Sequence, residues 1–346
     1  MGITTDGSHT TSRTNITAES EAAAFRRERA PVCRSLFRPG IKLIATALVT
    51  AFSLASAQAA ADALDCAPHS KSAEVRVTRT ALAGVPAIVR VPPSVSKPPI
   101  VLWHGFGVPA SEAAMMNALP LDDVPAIKVY LGLPLFGTRA PPGPHDSVAT
   151  RQSEDYALRL FEPAVLGAVK ELPSVVAALR KGGCMKSGEA VGLFGFSAGG
   201  AAVLIALADH DVPVRAAVTV NAPTSLEVAI EALERATKRP FSWTSESRAL
   251  AFRADAVKRA ADIVKTRQPP ALLLFHGADD TVITPIGATS LYQALQPLYE
   301  RAGVADRLEV VIAPGVSHDW SRAPVLASLR ASVADWFNQG SQPGQL

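Results

Sequence analysis

Val191-Gly192-Leu193-Phe194-Gly195-Phe196-Ser197-Ala198-Gly199-Gly200 decides how the rest of the chain is read. Ala190–Phe194 is wholly apolar, as a strand buried on both faces must be. Ala198–Ala208 is a run of small apolar residues that reads as a helix able to pack closely. Between them stands G-x-S-x-G. A strand that turns at once into a helix forces Ser197 into strained backbone angles. Only glycines two places to either side avoid collision with strand and helix. The turn lifts the serine hydroxyl above the sheet. It also aims the following backbone N–H groups, at a helix N-terminus, into the same space. An ordinary glycine-rich turn is the bland alternative; the strand before and the alanine helix after weigh against it.

Working outward, the same rhythm recurs. Glu74–Arg79 and Pro86–Val91 read as paired edge strands with Ala83-Gly84 in the turn. Ile100–Trp103, Ala126–Leu131, Val214–Val220, Ala271–Phe275 and Leu308–Ile312 are further short apolar strands. Helical patterns lie between them: Gln152–Lys181, interrupted or divided near Pro163 and Pro173, then Pro285–Arg301 and Ala323–Asn338. Apolar strands alternating with helices predict an α/β fold, a mostly parallel sheet covered on both faces. One connection is too long for that rhythm. About fifty residues separate Val220 from Ala271, against the usual handful. Within residues 222–268, Glu227–Lys238 and Ser247–Lys265 both look helical, around Phe241 and Trp243. This is expected to be a helical cap over the site, because loops at the carboxyl ends of parallel strands gather at the ligand crevice. The alternative is an excursion packed away from it.

A serine hydroxyl needs a base to become a nucleophile. Of the seven histidines, His318 lies in Gly315-Val316-Ser317-His318-Asp319-Trp320, after the last strand and before the last helix. From there a base can reach down to Ser197. His104 and His276 each end a strand in a His-Gly pair, a place for hydrogen bonds to loop backbone. His145 sits in a Pro/Gly-rich loop, Pro134 to Pro144 and beyond, that is expected to line the mouth of the site. The third group should be a carboxylate after the penultimate strand, where Asp279 and Asp280 are adjacent. Asp280 is preferred for its H-G-x-x-D spacing from His276. Its role would be to hold the imidazole tautomer and stabilise the imidazolium. The other position that could supply the acid, after Val220, holds Asn221, which cannot ionise. Oxyanion donors are expected from the N–H of Ala198 and from the loop His104-Gly105-Phe106-Gly107, at Phe106.

Together these features resemble the α/β-hydrolase superfamily, from about residue 74 to the end of the chain. The resemblance implies the α/β-hydrolase fold, a Ser197–His318–Asp280 triad and oxyanion donors at Phe106 and Ala198. Within the superfamily the chain looks similar to dienelactone-hydrolase-like and prolyl-oligopeptidase-like esterase branches. Gly132-Leu133-Pro134-Leu135-Phe136-Gly137-Thr138-Arg139 is similar to the loop such esterases place after the next strand. Dienelactone hydrolases use cysteine where Ser197 stands, so lactone cleavage is not implied. The prolyl peptidases carry a large propeller for which this chain offers no room. The expected activity is that of an exported hydrolase acting on a small-molecule carboxylic ester through an acyl-enzyme on Ser197. Phe241, Trp243 and His145 are expected in the substrate pocket. A peptidase or amidase using the same residues is the second reading, and a catalytically silent binding protein on this fold the third.

Composition limits the field further. Of 346 residues, 48% are hydrophobic and 19% charged, a globular balance. Residues 1–59 hold seven of the 34 Lys/Arg and four of the 31 Asp/Glu, so 27 of each remain and the rest is neutral. No basic stripe with interleaved aromatics marks a nucleic-acid partner. No H-x-H or C-x-x-C cluster implies a metal, and the expected chemistry needs no cofactor. Arg34, Arg38 and Lys42 precede the apolar run Leu43–Leu54, and Ala57-Gln58-Ala59 follows as an A-x-A pattern. This reads as an N-terminal extension with a signal peptide cleaved after Ala59, leaving 60–346 as the hydrolase domain with no stable membrane association. A membrane anchor over residues 43–61 is the alternative. Of the three cysteines, Cys33 falls in the leader. Cys66 and Cys184 are left either to pair in an oxidising compartment or to stay free.

Overall fold

The computed structural model describes Leu64, Cys66 and residues 74–322 and 324–340. The leader and the expected cleavage after Ala59 lie outside the described residues. Eight strands form one sheet: β1 (Arg76–Leu82), β2 (Val85–Val91), β3 (Ile100–Trp103), β4 (Lys128–Leu131), β5 (Val191–Phe196), β6 (Val214–Val220), β7 (Ala271–Gly277) and β8 (Leu308–Ala313). Their order is β1-β2-β4-β3-β5-β6-β7-β8. The β1–β2 and β2–β4 pairs are antiparallel and all others parallel. The edge hairpin turns through Ala83 (φ 51°) and Gly84 (φ 84°), the left-handed pair that matches the twist of its strands.

Helices cover both faces. One layer holds α1 (Glu112–Ala118) and α9 (Val325–Gln339), whose Met115, Leu329, Val333, Trp336 and Phe337 pack on Leu102, Phe194 and Val218. The other holds α3 (Gly167–Lys181), α4 (Ala198–Asp209), α7 (Ala260–Ile263) and α8 (Ile286–Arg301). Ala198 to Ala208 are buried all round. A helix of alanines, glycines and a few aliphatic residues can sit between sheet and neighbouring helices with no polar side to show.

The chain passes from β3 outward to β4, then returns past β3 to β5. The carboxyl ends of β3 and β5 therefore lie side by side, with Trp103 opposite Gly195. Such a reversal of strand order opens a crevice above the sheet. It sets the His104–Gly107 loop next to Ser197.

Three expectations about helices are corrected. The pattern over 152–181 begins earlier, as α2 (Val148–Asp155), followed by a π-helical stretch Tyr156–Leu166 and then α3. The break falls at Asp155, which is extended (φ −160°, ψ 101°) and caps Leu158 N–H with its carboxylate. Pro163 and Pro173 both lie inside helical turns. Near Pro163 the wider π turns already leave the usual i→i−4 bond unmade, so its missing N–H matters less. The helix expected over 247–265 is two pieces, α6 (Ser245–Arg253) and α7. Asp255 turns the chain between them by capping Lys258 N–H, and Ala256 N–H donates to Thr224. The α1 helix carried no reading in the sequence; it starts on Ser111, whose hydroxyl accepts from Ala114 N–H.

Cys66 and Cys184 are joined in a disulfide across 118 residues, with Cα atoms 4.9 Å apart. Of the two readings left open, the paired one is realised. Among the described residues, no helix is long and apolar enough to cross a membrane.

Candidate active site

Ser197 stands at the end of β5 with φ 50° and ψ −119°, an angle pair that costs a side-chain-bearing residue energy. The surroundings enforce it. A Cβ on Gly195 would lie 2.2 Å from Gly199 O, and one on Gly199 would lie 2.5 Å from His104 O. Neither glycine can carry a side chain, because strand, helix and the β3 loop close on the turn at Ser197 from both sides. Ser197 N–H donates to Val220 O at 2.9 Å, tying the turn to β6.

His318 Nε2 lies 3.1 Å from Ser197 Oγ, and His318 Nδ1 lies 2.8 Å from Asp280 Oδ2. The three side chains thus form a continuous relay from loops after β5, β7 and β8. Asp280 is buried, while Asp279 is exposed and uses its backbone N–H on Val316 O. The carboxylate is fully engaged: Oδ1 accepts from Val282 and Ile283 N–H, both at 2.9 Å. Burial pushes the Asp280 carboxyl up, but hydrogen bonds from His276 and His318, the His318 charge and the Ile283 N–H outweigh it. Together they hold the group down to about 2. It stays ionised wherever an imidazole can act as a base, as the orienting acid must. The ring of Phe196 lies 5.3 Å from that of His318 and meets Trp320 edge-on at 5.5 Å, which walls the imidazole on one side.

The loop after β3 fits against the serine: a Cβ on Gly105 would lie 2.9 Å from Ser197 Cβ. Among the described residues, no backbone acceptor takes the N–H of Phe106 or Ala198. Both are therefore available to a negative oxygen above Ser197. His104 holds this loop. Its Nε2 accepts from Leu133 N–H at 3.0 Å, so its proton is on Nδ1, which donates to Gly105 O at 2.7 Å. Burial lowers its pKa further, against the pull of the Gly105 carbonyl and Glu112. The ring of Phe106 stacks on Phe136 at 4.7 Å and meets Tyr156 at 6.5 Å.

The expected pocket residues are spread apart. Helix α5 (Leu226–Thr237) and α6 pack on the π-helical stretch, and Arg235 of α5 reaches Val282 O beside the acid. The insertion thus meets the acid loop through Arg235. Phe241 walls a hollow of about 320 Å³ with Tyr156, Leu233 and Pro240. Trp243 meets Phe241 edge-on at 5.1 Å, lies under Arg248, and walls a different hollow with Phe252. His145 is exposed on a short 3-10 turn, Pro144–Asp146. Among the described residues, no hydrogen bond or ring contact links Phe241, Trp243 or His145 to Ser197, Asp280 or His318.

Two residues near the site carry more than sequence reasoning gave them. His276 Nε2 donates to Ile283 O at 2.7 Å and lies 3.4 Å from Asp280 Oδ2, so it supports the acid and not the loop backbone alone. The H-G-x-x-D spacing that pointed to Asp280 contained this signal, since it returns the carboxylate to the start of its own loop. Asn221 bonds to both the acid loop and the histidine loop. Its only sequence signal was its place at the end of β6.

Residues 166–343 match the model of the prolyl oligopeptidase family, more than half of the 346-residue chain. The chain belongs to the prolyl oligopeptidase family. The match takes in Ser197, Asp280 and His318, while the loop at Phe106 precedes it. Among solved structures this family member is similar to TT1662 from Thermus thermophilus, at TM-score 0.58 and 20% identity, covering 76% of this chain and 98% of that one. It is also similar to a puromycin-hydrolyzing peptidase of Mycobacterium tuberculosis (0.53, 18%, covering 79% and 40%). The Pyrococcus furiosus esterase Pf2001 is a third (0.51, 14%, covering 78% and 94%). No curated protein matches the chain. Family and fold together make this prolyl oligopeptidase family member a serine hydrolase of the α/β-hydrolase fold.

Proposed function

We propose that this serine hydrolase cleaves small carboxylic esters through an acyl-enzyme on Ser197. The observation that carries the reading is the unbroken relay Ser197 Oγ–His318–Asp280, at 3.1 and 2.8 Å. Neutral His318 takes the serine proton as Oγ attacks the carbonyl carbon, and the N–H groups of Phe106 and Ala198 receive the oxyanion. His318 then protonates the departing alcohol. A water takes the same route in reverse and releases the acid. The ester reading is supported by the likeness to the esterase Pf2001. The peptidase reading is favoured by the family match itself. It differs in asking His318 to protonate an amine.

Ser197→Ala tests the nucleophile. It should abolish covalent labelling by a fluorophosphonate and cut turnover by about 10⁶, as loss of the nucleophile does in a serine protease. Hydrolysis at the wild-type rate by the purified variant removes the assignment. Matched p-nitrophenyl esters and aminoacyl anilides test the substrate class; a higher kcat/KM on the anilides moves the protein to the peptidases.

We also propose that the protein is exported. The leader pattern supports this, and so does the Cys66–Cys184 bridge, because such bonds persist in oxidising compartments. Cell fractionation and N-terminal sequencing check it, with Ala60 expected as the first residue.

A further inference from the structure

We propose that Asn221 is a positioning residue that holds the His318 loop in register with the acid loop. The proposal rests on Ser197 and His318 acting as assigned above. Asn221 directly follows β6, the strand that lies between β5, which leads to the serine, and β7, which leads to the acid. It is fully buried and adopts φ +48°, a conformation asparagine tolerates better than most residues. Strand β7 and two loops converge on it. Its backbone N–H donates to Phe275 O at 3.0 Å. Its side-chain Oδ1 accepts from Gly277 N–H at 2.8 Å, at the root of the Asp280 loop. Its Nδ2 donates to Ser317 O at 2.9 Å and His318 O at 3.2 Å. The residue before it, Val220, accepts the N–H of Ser197 itself.

One amide thus ties the supports of Asp280 and His318 together without touching any reacting atom, and the residue before it supports Ser197. The donor side matters most. His318 hangs on a loop whose side chains are largely exposed or half-buried, and the Nδ2 bonds grip its backbone at the histidine itself. Loss of the two donors frees the imidazole to drift from Ser197 Oγ, and a displacement of 1 Å in a catalytic group can cost on the order of 10² in rate. The acceptor side also fixes chemistry. Only a residue that accepts at one end and donates twice at the other satisfies Gly277, Ser317 and His318 together, which an amide does and a carboxylate cannot.

Two variants separate positioning from bulk structure. Asn221→Gly keeps the left-handed backbone and removes the amide. It should lower kcat roughly 10- to 100-fold while KM for a p-nitrophenyl ester stays within about twofold. Asn221→Asp keeps the shape and the bond from Gly277, but sets a carboxylate against two carbonyl oxygens. Its activity should fall at least as far at neutral pH. Divided by the wild-type rate at the same pH, it should rise as pH falls through the titration of the new carboxyl, which then donates one hydrogen bond. Wild-type kcat in Asn221→Gly overturns the proposal, and so does an Asn221→Asp ratio that is flat with pH. Ser197→Ala is measured alongside. Turnover in that variant removes the triad reading and this proposal together. A dead Ser197→Ala with an undiminished Asn221→Gly removes the proposal alone.

Discussion

The acid loop after β7 and the helical insertion after β6 both leave the sheet at its carboxyl edge, yet they are built on opposite plans. In the acid loop, from His276 to Ile283, the polar groups around Asp280 are committed: two N–H groups on one oxygen, one imidazole at 2.8 Å and another at 3.4 Å on the other. In the insertion, the helices are held by apolar side chains buried in the core, among them Leu226, Ile230, Leu250 and Ile263, with capping side chains at their ends and the Phe241–Trp243 ring pair between α5 and α6. Directed hydrogen bonds on one carboxylate fix the short loop, while undirected apolar packing with capped ends holds the long one.

The comparison breaks first at the acid. Asp280→Asn should lower kcat by about 10⁴, as loss of the triad acid does in serine proteases. Asp279→Asn, at the exposed neighbour, should leave it nearly unchanged. Equal effects would mean that the adjacent carboxylates share the task and that the loop is less committed than its hydrogen bonds imply. Steady-state kinetics on one p-nitrophenyl ester decides this.

The insertion should respond in preference more than in rate. Phe241→Ala enlarges the hollow it shares with Tyr156. It should change the ranking of acyl-chain lengths by roughly 10-fold, the order of one methylene in an apolar pocket. Trp243→Ala should change it less, because its hollow is a different one. A panel of esters of graded length measures both, and an unchanged ranking in Phe241→Ala would leave the insertion without a part in selection.

The smallest effect is on acid stability. The Asp280 carboxyl is held at about 2 in the fold, against roughly 3.9 for an unfolded chain. The unfolded state therefore takes up the proton first, and stability falls as pH drops through that window. Asp280→Asn should show a shallower decline in melting temperature between about pH 4 and 2. An identical decline would place the acid sensitivity elsewhere.

Strands and strand ends were legible because both their composition and their next residues were constrained. Ser197, Asp280 and His318 each follow an apolar strand within a few residues, and chemistry at a strand end needs particular residue types. Helix breaks were not legible in the same way. Two prolines drew attention, yet the chain breaks at Asp155 and Asp255, where a carboxylate caps a backbone N–H. Aspartates that cap and aspartates that face water look alike in a sequence. The part played by Asn221 is hidden for a related reason: it cannot ionise, and its partners lie in two loops that are 56 and 96 residues away. The pocket residues were hardest, since the direction in which Phe241 and Trp243 face depends on packing of the whole insertion.

The disulfide also fixes where mechanical load travels. The antiparallel hairpin of β1 and β2 lies at the edge of the sheet and would be the first part to peel if the chain were pulled from its amino end. The Cys66–Cys184 bond precedes that hairpin and anchors to the turn just after α3, shortly before β5. Tension applied upstream of Cys66 therefore bypasses the hairpin and is delivered to the approach to the central strand. An amino-terminal tether could strain against this clasp without unzipping the edge, and reduction of the bond would redirect the same pull onto β1.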